Sequence, residues 1–271
     1  TFRLNFGTGF RTVNLFAEDH AFVTGQREVV IQGDISPERS YNLTLNANHV
    51  YVWGQGQGMI DIDAFYTYFT NKIIPDYDQS GLIVYQNSQG HAESKGIGFN
   101  LTHSFRKPFS MRLGATIQSV TKTEPDEEGV MVTEEVEYAS RWSGVITLNY
   151  NWKKARTTFG YSSTCTGPMR LPTVFDLDDN GDPMPDPRPQ ESEPFSIHNI
   201  QITKAFNKGF SLYGGVQNLF DHVQAYSPLT GYNDPNSAPG FSDSFDTAYA
   251  YGPTHGREFY LGFRWDIGRR K

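Results

Sequence analysis

The chain has 271 residues, a formal net charge of −7 and 37% hydrophobic residues, with 20 Phe, 15 Tyr and 26 Gly. The acidic balance disfavours a nucleic-acid partner, the single cysteine, Cys165, excludes an internal disulfide, and no run approaches the roughly 18 apolar residues of a membrane-spanning helix. A transmembrane β-barrel escapes that last test, because only alternate residues of its strands meet lipid.

Alternation of apolar and polar residues runs through the chain, and period two is the signature of a strand with two unlike faces. Residues 1–9 set Phe2, Leu4 and Phe6 against Arg3, Asn5 and Gly7. A long mixed segment, 10–36, follows. Residues 37–53 form the next predicted strand, with Tyr41, Leu43, Leu45, Ala47, His49, Tyr51 and Trp53 on one face and Asn42, Thr44, Asn46 and Asn48 on the other. GQGQG makes a short turn. Residues 60–70 return with Ile60, Ile62, Ala64, Tyr66 and Tyr68 opposite Asp61, Asp63 and Thr67. After a loop at 75–81 a strand ends in Ile97, Phe99, Leu101, His103 and Phe105, and 106–109 turns into Met111, Leu113, Ala115 and Ile117.

Residues 124–137 read as an acidic, solvated loop. Trp142 to Trp152 alternate again, KKAR turns, and a strand from Phe159 and Tyr161 fades near Cys165. A loop rich in Asp and Pro spans 171–194. Ile200, Ile202 and Phe206 mark the next strand, NKG the next turn, and 210–220 the penultimate strand. A last long loop, 224–254, precedes the closing strand 256–267, in which Phe259, Leu261, Phe263, Trp265 and Ile267 share one face.

This pattern predicts an all-β fold: about ten antiparallel strands of a transmembrane β-barrel. Short and long connections alternate, as outer-membrane barrels do with short periplasmic turns and long extracellular loops. The aromatics Tyr51, Trp53, Phe105, Phe109, Tyr150, Trp152, Phe206 and Phe210 flank the short turns, as an interfacial girdle would. A soluble sandwich leaves the sorted loops and polar second faces without a common cause. The loop Asp176-x-Asp178-x-Asn180-x-Asp182 carries the opening of a calcium loop, with Pro187 where the closing glutamate would stand. It makes structural calcium a candidate, and no other cofactor is required. There is no phosphate loop, Cys-x-x-Cys or His-Glu-x-x-His, and no catalytic constellation.

The segments GTGFRTVNLFAED (7–19), ISPERSYNLTLNANHVY (35–51), VQNLFDH (216–222) and GREFYLGFRWDI (256–267) resemble, in order, those of TonB-dependent outer-membrane receptors. AFYTYFTNKI, TGPMRLP and RPQESEPFSIHNIQITKAF fit as well, the last two in a spelling similar to receptors of Bacteroidetes bacteria. The resemblance implies a 22-stranded barrel plugged by an N-terminal domain, of which this chain supplies the ten C-terminal strands. It places plug, TonB-contacting segment and earlier strands upstream or on another chain. The family's chains commonly end on an aromatic, whereas here Gly268-Arg269-Arg270-Lys271 follows Ile267.

The implied function is active import of a scarce solute across the outer membrane, of the iron–siderophore, haem or cobalamin class, with no enzymatic chemistry. Alternatives are a glycan or peptide importer of the same family and a small passive pore in which ten strands close on themselves. Expected partners are TonB, the lipid bilayer and a surface lipoprotein, and not nucleic acid. Loop aromatics that can stack on a ligand are Phe16, Tyr77, Tyr85, Phe175, Tyr226, Tyr232, Phe241, Tyr249 and Tyr251; His20 is a haem-ligand candidate. Arg3, Arg112, Arg141 and Arg264 fall on the lumen face, where they would meet plug carboxylates or an anionic ligand. His49, His103 and His198 fall on outward faces and are expected to be packing groups.

Overall fold

The structure is a computed structural model that describes residues 1–12, 28–33, 35–76, 82–105, 108–126, 128–178, 180, 182–228 and 247–266. In chain order its strands are β1 (Phe2–Arg11), β2 (Glu28–Ile31), β3 (Glu38–Trp53), β4 (Gly56–Thr70), β5 (Ile73–Asp76), β6 (Leu82–Asn87), β7 (His91–Ser104) and β8 (Phe109–Pro125). They continue with β9 (Met131–Glu135), β10 (Trp142–Trp152), β11 (Thr157–Thr166), β12 (Phe175–Leu177), β13 (Pro183–Pro187), β14 (Phe195–Ala205), β15 (Phe210–Gln217) and β16 (Glu258–Trp265). Among the described residues no helix is long and apolar enough to cross a membrane.

Ten strands make one antiparallel meander in the order β1-β3-β4-β7-β8-β10-β11-β14-β15-β16, with β9 paired to β8 beyond it. The register aligns the apolar alternation across neighbours. Leu4, Leu45, Ala64, Ile97, Ile117 and Trp142 stand opposite one another strand by strand, as do Tyr150, Phe159, Ile202, Gly214 and Leu261 farther along. A slip of one residue would send all of these to the polar face, so pattern and register enforce each other.

Among the described residues no protein covers the outward face. Phe2 is 83% exposed and Leu261 77%, and large apolar residues of this face stay exposed along most of the strands between them. An apolar surface of that extent is incompatible with water and is the face a lipid bilayer covers. Its height agrees. Ten residues separate the outward Tyr41 and Tyr51 of β3. At about 3.3 Å per residue and a tilt near 40°, that spans roughly 25 Å, the apolar band of an outer-membrane barrel.

All four short connections lie at one end of the sheet: residues 54–55, 105–108, 153–156 and 206–209. The girdle there is packed. His103 is 1% exposed, stacked on Tyr51 at 5.6 Å between ring centres and met edge-on by Phe105 at 4.2 Å. Its Nδ1 lies 3.1 Å from the Tyr51 hydroxyl. Gly56 and Gly58 make this possible: a Cβ on Gly58 would stand 2.5 Å from Tyr51 Cζ, and one on Gly56 2.6 Å from His103 Nε2. His198 is likewise a packing group, with its ring nitrogens 2.7 Å from the Tyr161 hydroxyl and 2.9 Å from Ser196 Oγ.

The long connections at the other end carry structure of their own. β2, β6 and β5 form a small sheet in which β2 and β6 run parallel, around Ile73, Ile83 and Tyr85 with Val29 and Ile35 against them. Buried Glu38 ties it to the barrel wall, accepting from Arg11 Nε at 2.8 Å and from the Ile73 amide at 2.8 Å. Two expectations change here. Residues 124–137 are mostly the β8–β9 hairpin, turned by Asp126, whose carboxylate accepts from the amides of Glu128 and Val130. The penultimate strand stops at Gln217, not at 220. Asn218 takes a positive φ of 49° and donates its side-chain amide to the carbonyls of His222 and His255.

Candidate functional site

Above the long-loop end, three segments fuse into one platform: 167–194, 218–228 and 247–257. As 167–194 leaves β11, Met169, Leu171 and Val174 bury their side chains against Tyr249, with Phe195 and Tyr251 alongside. The segment folds back on itself through Leu171 N to Gln190 O, Ser192 N to Met169 O and Arg188 N to Val174 O. Tyr249, fully buried, donates its hydroxyl to the Pro189 carbonyl at 2.6 Å. The Gln224 side chain donates to the carbonyls of Tyr249 and Tyr226 and accepts from the amides of Tyr251 and Gly252.

Arg188 joins the segments. Its side chain is 5% exposed and paired with Asp176. It also donates to Ser227 O and lies 5.0 Å over the Tyr249 ring and 6.0 Å from that of Tyr226. A second ion network sits at the junction with the β8–β9 hairpin. Arg141 bridges Glu135 at 2.9 Å and Glu191 at 2.8 Å, while Arg170 reaches Glu134 at 2.8 Å. Loss of solvent around Tyr249 pushes its hydroxyl up to about 12 and raises that of Tyr251 in the same direction. Hydrogen bonds from Arg141 hold the Glu135 carboxyl below its ordinary value.

This geometry sorts the candidates. Tyr249 is a packing group with no face left for a ligand, and so is Tyr85, buried in the β2-β6-β5 sheet. Tyr251 is half-buried against the platform core and Phe175 half-buried in β12. Tyr226 keeps 41% of its surface and stands edge-on to Tyr249. Phe16, His20, Tyr77, Tyr232 and Phe241 lie outside the described residues. Two of the carboxylates in the calcium motif have protein partners. Asp176 turns to Arg188, and Asp178 caps the turn by accepting from the amides of Asn180 and Asp182. Among the described residues no group of three or more His, Cys, Asp or Glu side chains is arranged to hold a metal. Arg188, Gln224 and Asn218 were not singled out from the sequence. Arg188 sits in the run DPRPQE, and its one sequence clue was Asp176, read there as a cation ligand.

Arg3, Arg112 and Arg264 occupy the polar, inward face and are exposed on it. Arg141 shares that parity, but its charge is engaged by Glu135 and Glu191. Near the β1 edge the wall is a fixed polar lattice. Asn46 donates to Asp61 at 3.0 Å and Asp63 at 2.7 Å, Asn48 to Asp61 at 2.8 Å, and Thr67 to Asn42 at 2.8 Å.

Residues 1–219 match the family model described as TonB dependent receptor-like, beta-barrel. The chain belongs to this family. It is an outer-membrane β-barrel chain. Solved structures similar to it include the pyoverdine receptor FpvA of Pseudomonas aeruginosa, at 13% identity and a TM-score of 0.60, covering 98% of this chain and 34% of that one. The ferric enterobactin receptor PfeA of the same organism aligns at 17% identity and a TM-score of 0.59, over 97% of this chain and 37% of PfeA. The FrpB iron transporter of Neisseria meningitidis aligns at 12% identity and a TM-score of 0.59, over 97% and 36%. At these identities the likeness is one of fold, and the chain spans little more than a third of each receptor. Comparison with curated protein sequences finds no match.

Proposed function

We propose that this chain is the C-terminal ten-stranded arc of a TonB-dependent importer, and that the whole receptor carries an iron–siderophore class solute across the outer membrane. The open sheet carries this reading. β1 and β16 each have one hydrogen-bonded neighbour among the described residues, which supports a wall with two edges over a closed pore. Unpaired edges facing lipid are untenable, since backbone groups there have no water to bond. Further strands of the same receptor complete the barrel, and a plug fills it against the inward polar face.

In this reading the arc's residues bind and guide; none does chemistry. The platform supplies part of the extracellular mouth, and TonB acts on the plug. Haem and cobalamin are the neighbouring solute classes. The solute class rests on what the similar receptors carry, pyoverdine and enterobactin in the cases above. The test is uptake of radioactive iron as a panel of ferric siderophores by cells with and without the receptor gene, repeated after collapse of the proton-motive force. Receptor-dependent, energy-dependent uptake of one chelate is expected. Energy-dependent import of a glycan or of cobalamin instead of iron would move the solute class. Energy-independent flux would overturn the importer reading.

A further inference from the structure

We propose that the outward face at the extracellular end of β1 and β3 binds the phosphate of an outer-leaflet lipid headgroup, with Arg39 as the binding group. In β3 the outward series runs Trp53, Tyr51, His49, Ala47, Leu45, Leu43, Tyr41, Arg39. Arg39 is therefore the first residue beyond the apolar band measured from Tyr51 to Tyr41. It is the only arginine at an outward position of the described meander strands; Arg3, Arg11, Arg112 and Arg264 all alternate to the inner face. It is exposed and forms no hydrogen bond or ion pair among the described residues, whereas Arg11 beside it on the inner face is paired with Glu38.

Among the described residues no carboxylate relieves that charge. The outward positions of β1, β3 and β4 hold none; Glu38, Asp61 and Asp63 all face inward. The nearest outward acid by register is Glu93 on β7, already engaged by the Tyr66 hydroxyl at 2.8 Å and by Lys95 at 3.7 Å. An unpaired guanidinium on a lipid-facing wall is costly in hydrocarbon and favourable at the headgroup level, where phosphates are the abundant anions. Its planar fork suits a phosphate's two oxygens. The flanking surface is shaped to accept a lipid. A groove of about 410 Å³ opens between Thr8, Phe10, Pro37, Arg39 and Tyr41, with Phe10 directly opposite Arg39 in register and 82% exposed. Acyl or sugar surface can lie on Phe10 and Tyr41 while the phosphate meets Arg39. A strand pairing with β1 bonds in the plane of the sheet, so it adds a side wall and leaves this face open.

The test is native mass spectrometry of the whole detergent-purified receptor titrated with lipid A, with its dephosphorylated form as control and inorganic phosphate as competitor. Four proteins are compared: wild type, Arg39→Gln, Arg39→Lys, and Lys154→Gln in a periplasmic turn. Heat-dependent gel migration confirms that each barrel is folded. Losing one charge-assisted contact should weaken lipid A binding about tenfold in Arg39→Gln. Arg39→Lys should restore part of it, and Lys154→Gln should bind as wild type. Equal binding by wild type and Arg39→Gln, or equal binding of phosphorylated and dephosphorylated lipid A, would overturn the proposal. So would displacement of the lipid by equimolar inorganic phosphate, which would make this a free-anion site. Solute uptake by Arg39→Gln stays intact in every case, so a failure here is separate from a failure of the importer reading.

Discussion

Gly58 has no room for a side chain, because the Tyr51 and His103 rings occupy the space its Cβ would need. Gly58→Ala must push one ring off its stack, an overpacking cost of about 1–3 kcal/mol. The temperature at which the folded barrel band disappears on gels should fall; an unchanged temperature would mean that the rings swing aside freely. Tyr249 offers a second residue-level check. Its hydroxyl is pushed up to about 12 by loss of solvent, so the folded platform holds that proton more tightly than the unfolded chain does. The platform's stability from this group is complete below about pH 10 and is lost as pH rises through about 12. In an ultraviolet titration of the receptor, Tyr249→Phe should remove absorbance from the latest-ionising fraction. Loss from an early fraction would place Tyr249 in water. Neither feature was legible from spacing. Gly58 read as a turn residue in GQGQG, and Tyr249 as one more loop aromatic, because burial in a loop platform has no period to reveal it.

At the scale of elements, Arg188 is the link between segments 167–194 and 218–228. Removing the guanidinium leaves Asp176 unpaired, the Ser227 carbonyl without this donor, and the faces of Tyr226 and Tyr249 without their cation. Arg188→Met should therefore raise amide exchange in both segments while the meander strands keep their protection. Exchange rising in 167–194 alone would show that the segments are independent. The strands themselves were legible, because alternation at period two is strong where one face meets lipid. The loops were not. Residues 124–137 have the composition of a solvated loop, but Asp126 supplies the turn that lets them pair as a hairpin. The Asp-rich stretch at 176–182 spells a cation loop, but an arginine twelve residues on takes Asp176.

On the scale of the molecule, the sequence order of strands, the sorting of short and long connections and the outward aromatic girdle all appear as read. Those features follow from a single physical cause, a sheet standing in lipid, and so every strand repeats them. What the pattern does not encode is closure. Ten strands of this composition are compatible with a small pore or with part of a larger barrel, and it is the pairing, in which β1 and β16 each have one neighbour among the described residues, that favours the second. Solute choice is equally silent, since an exposed aromatic such as Tyr226 and a half-buried one such as Tyr251 suit many ligands.

The most direct test of the account is the structure of the receptor extracted whole from the outer membrane, read at the two edge strands. The account predicts that β1 and β16 are each hydrogen-bonded to a strand from outside these 271 residues, with a plug domain against Asp61, Asp63 and Arg112. Direct pairing of β1 with β16, closing a ten-stranded barrel without a plug, would contradict it.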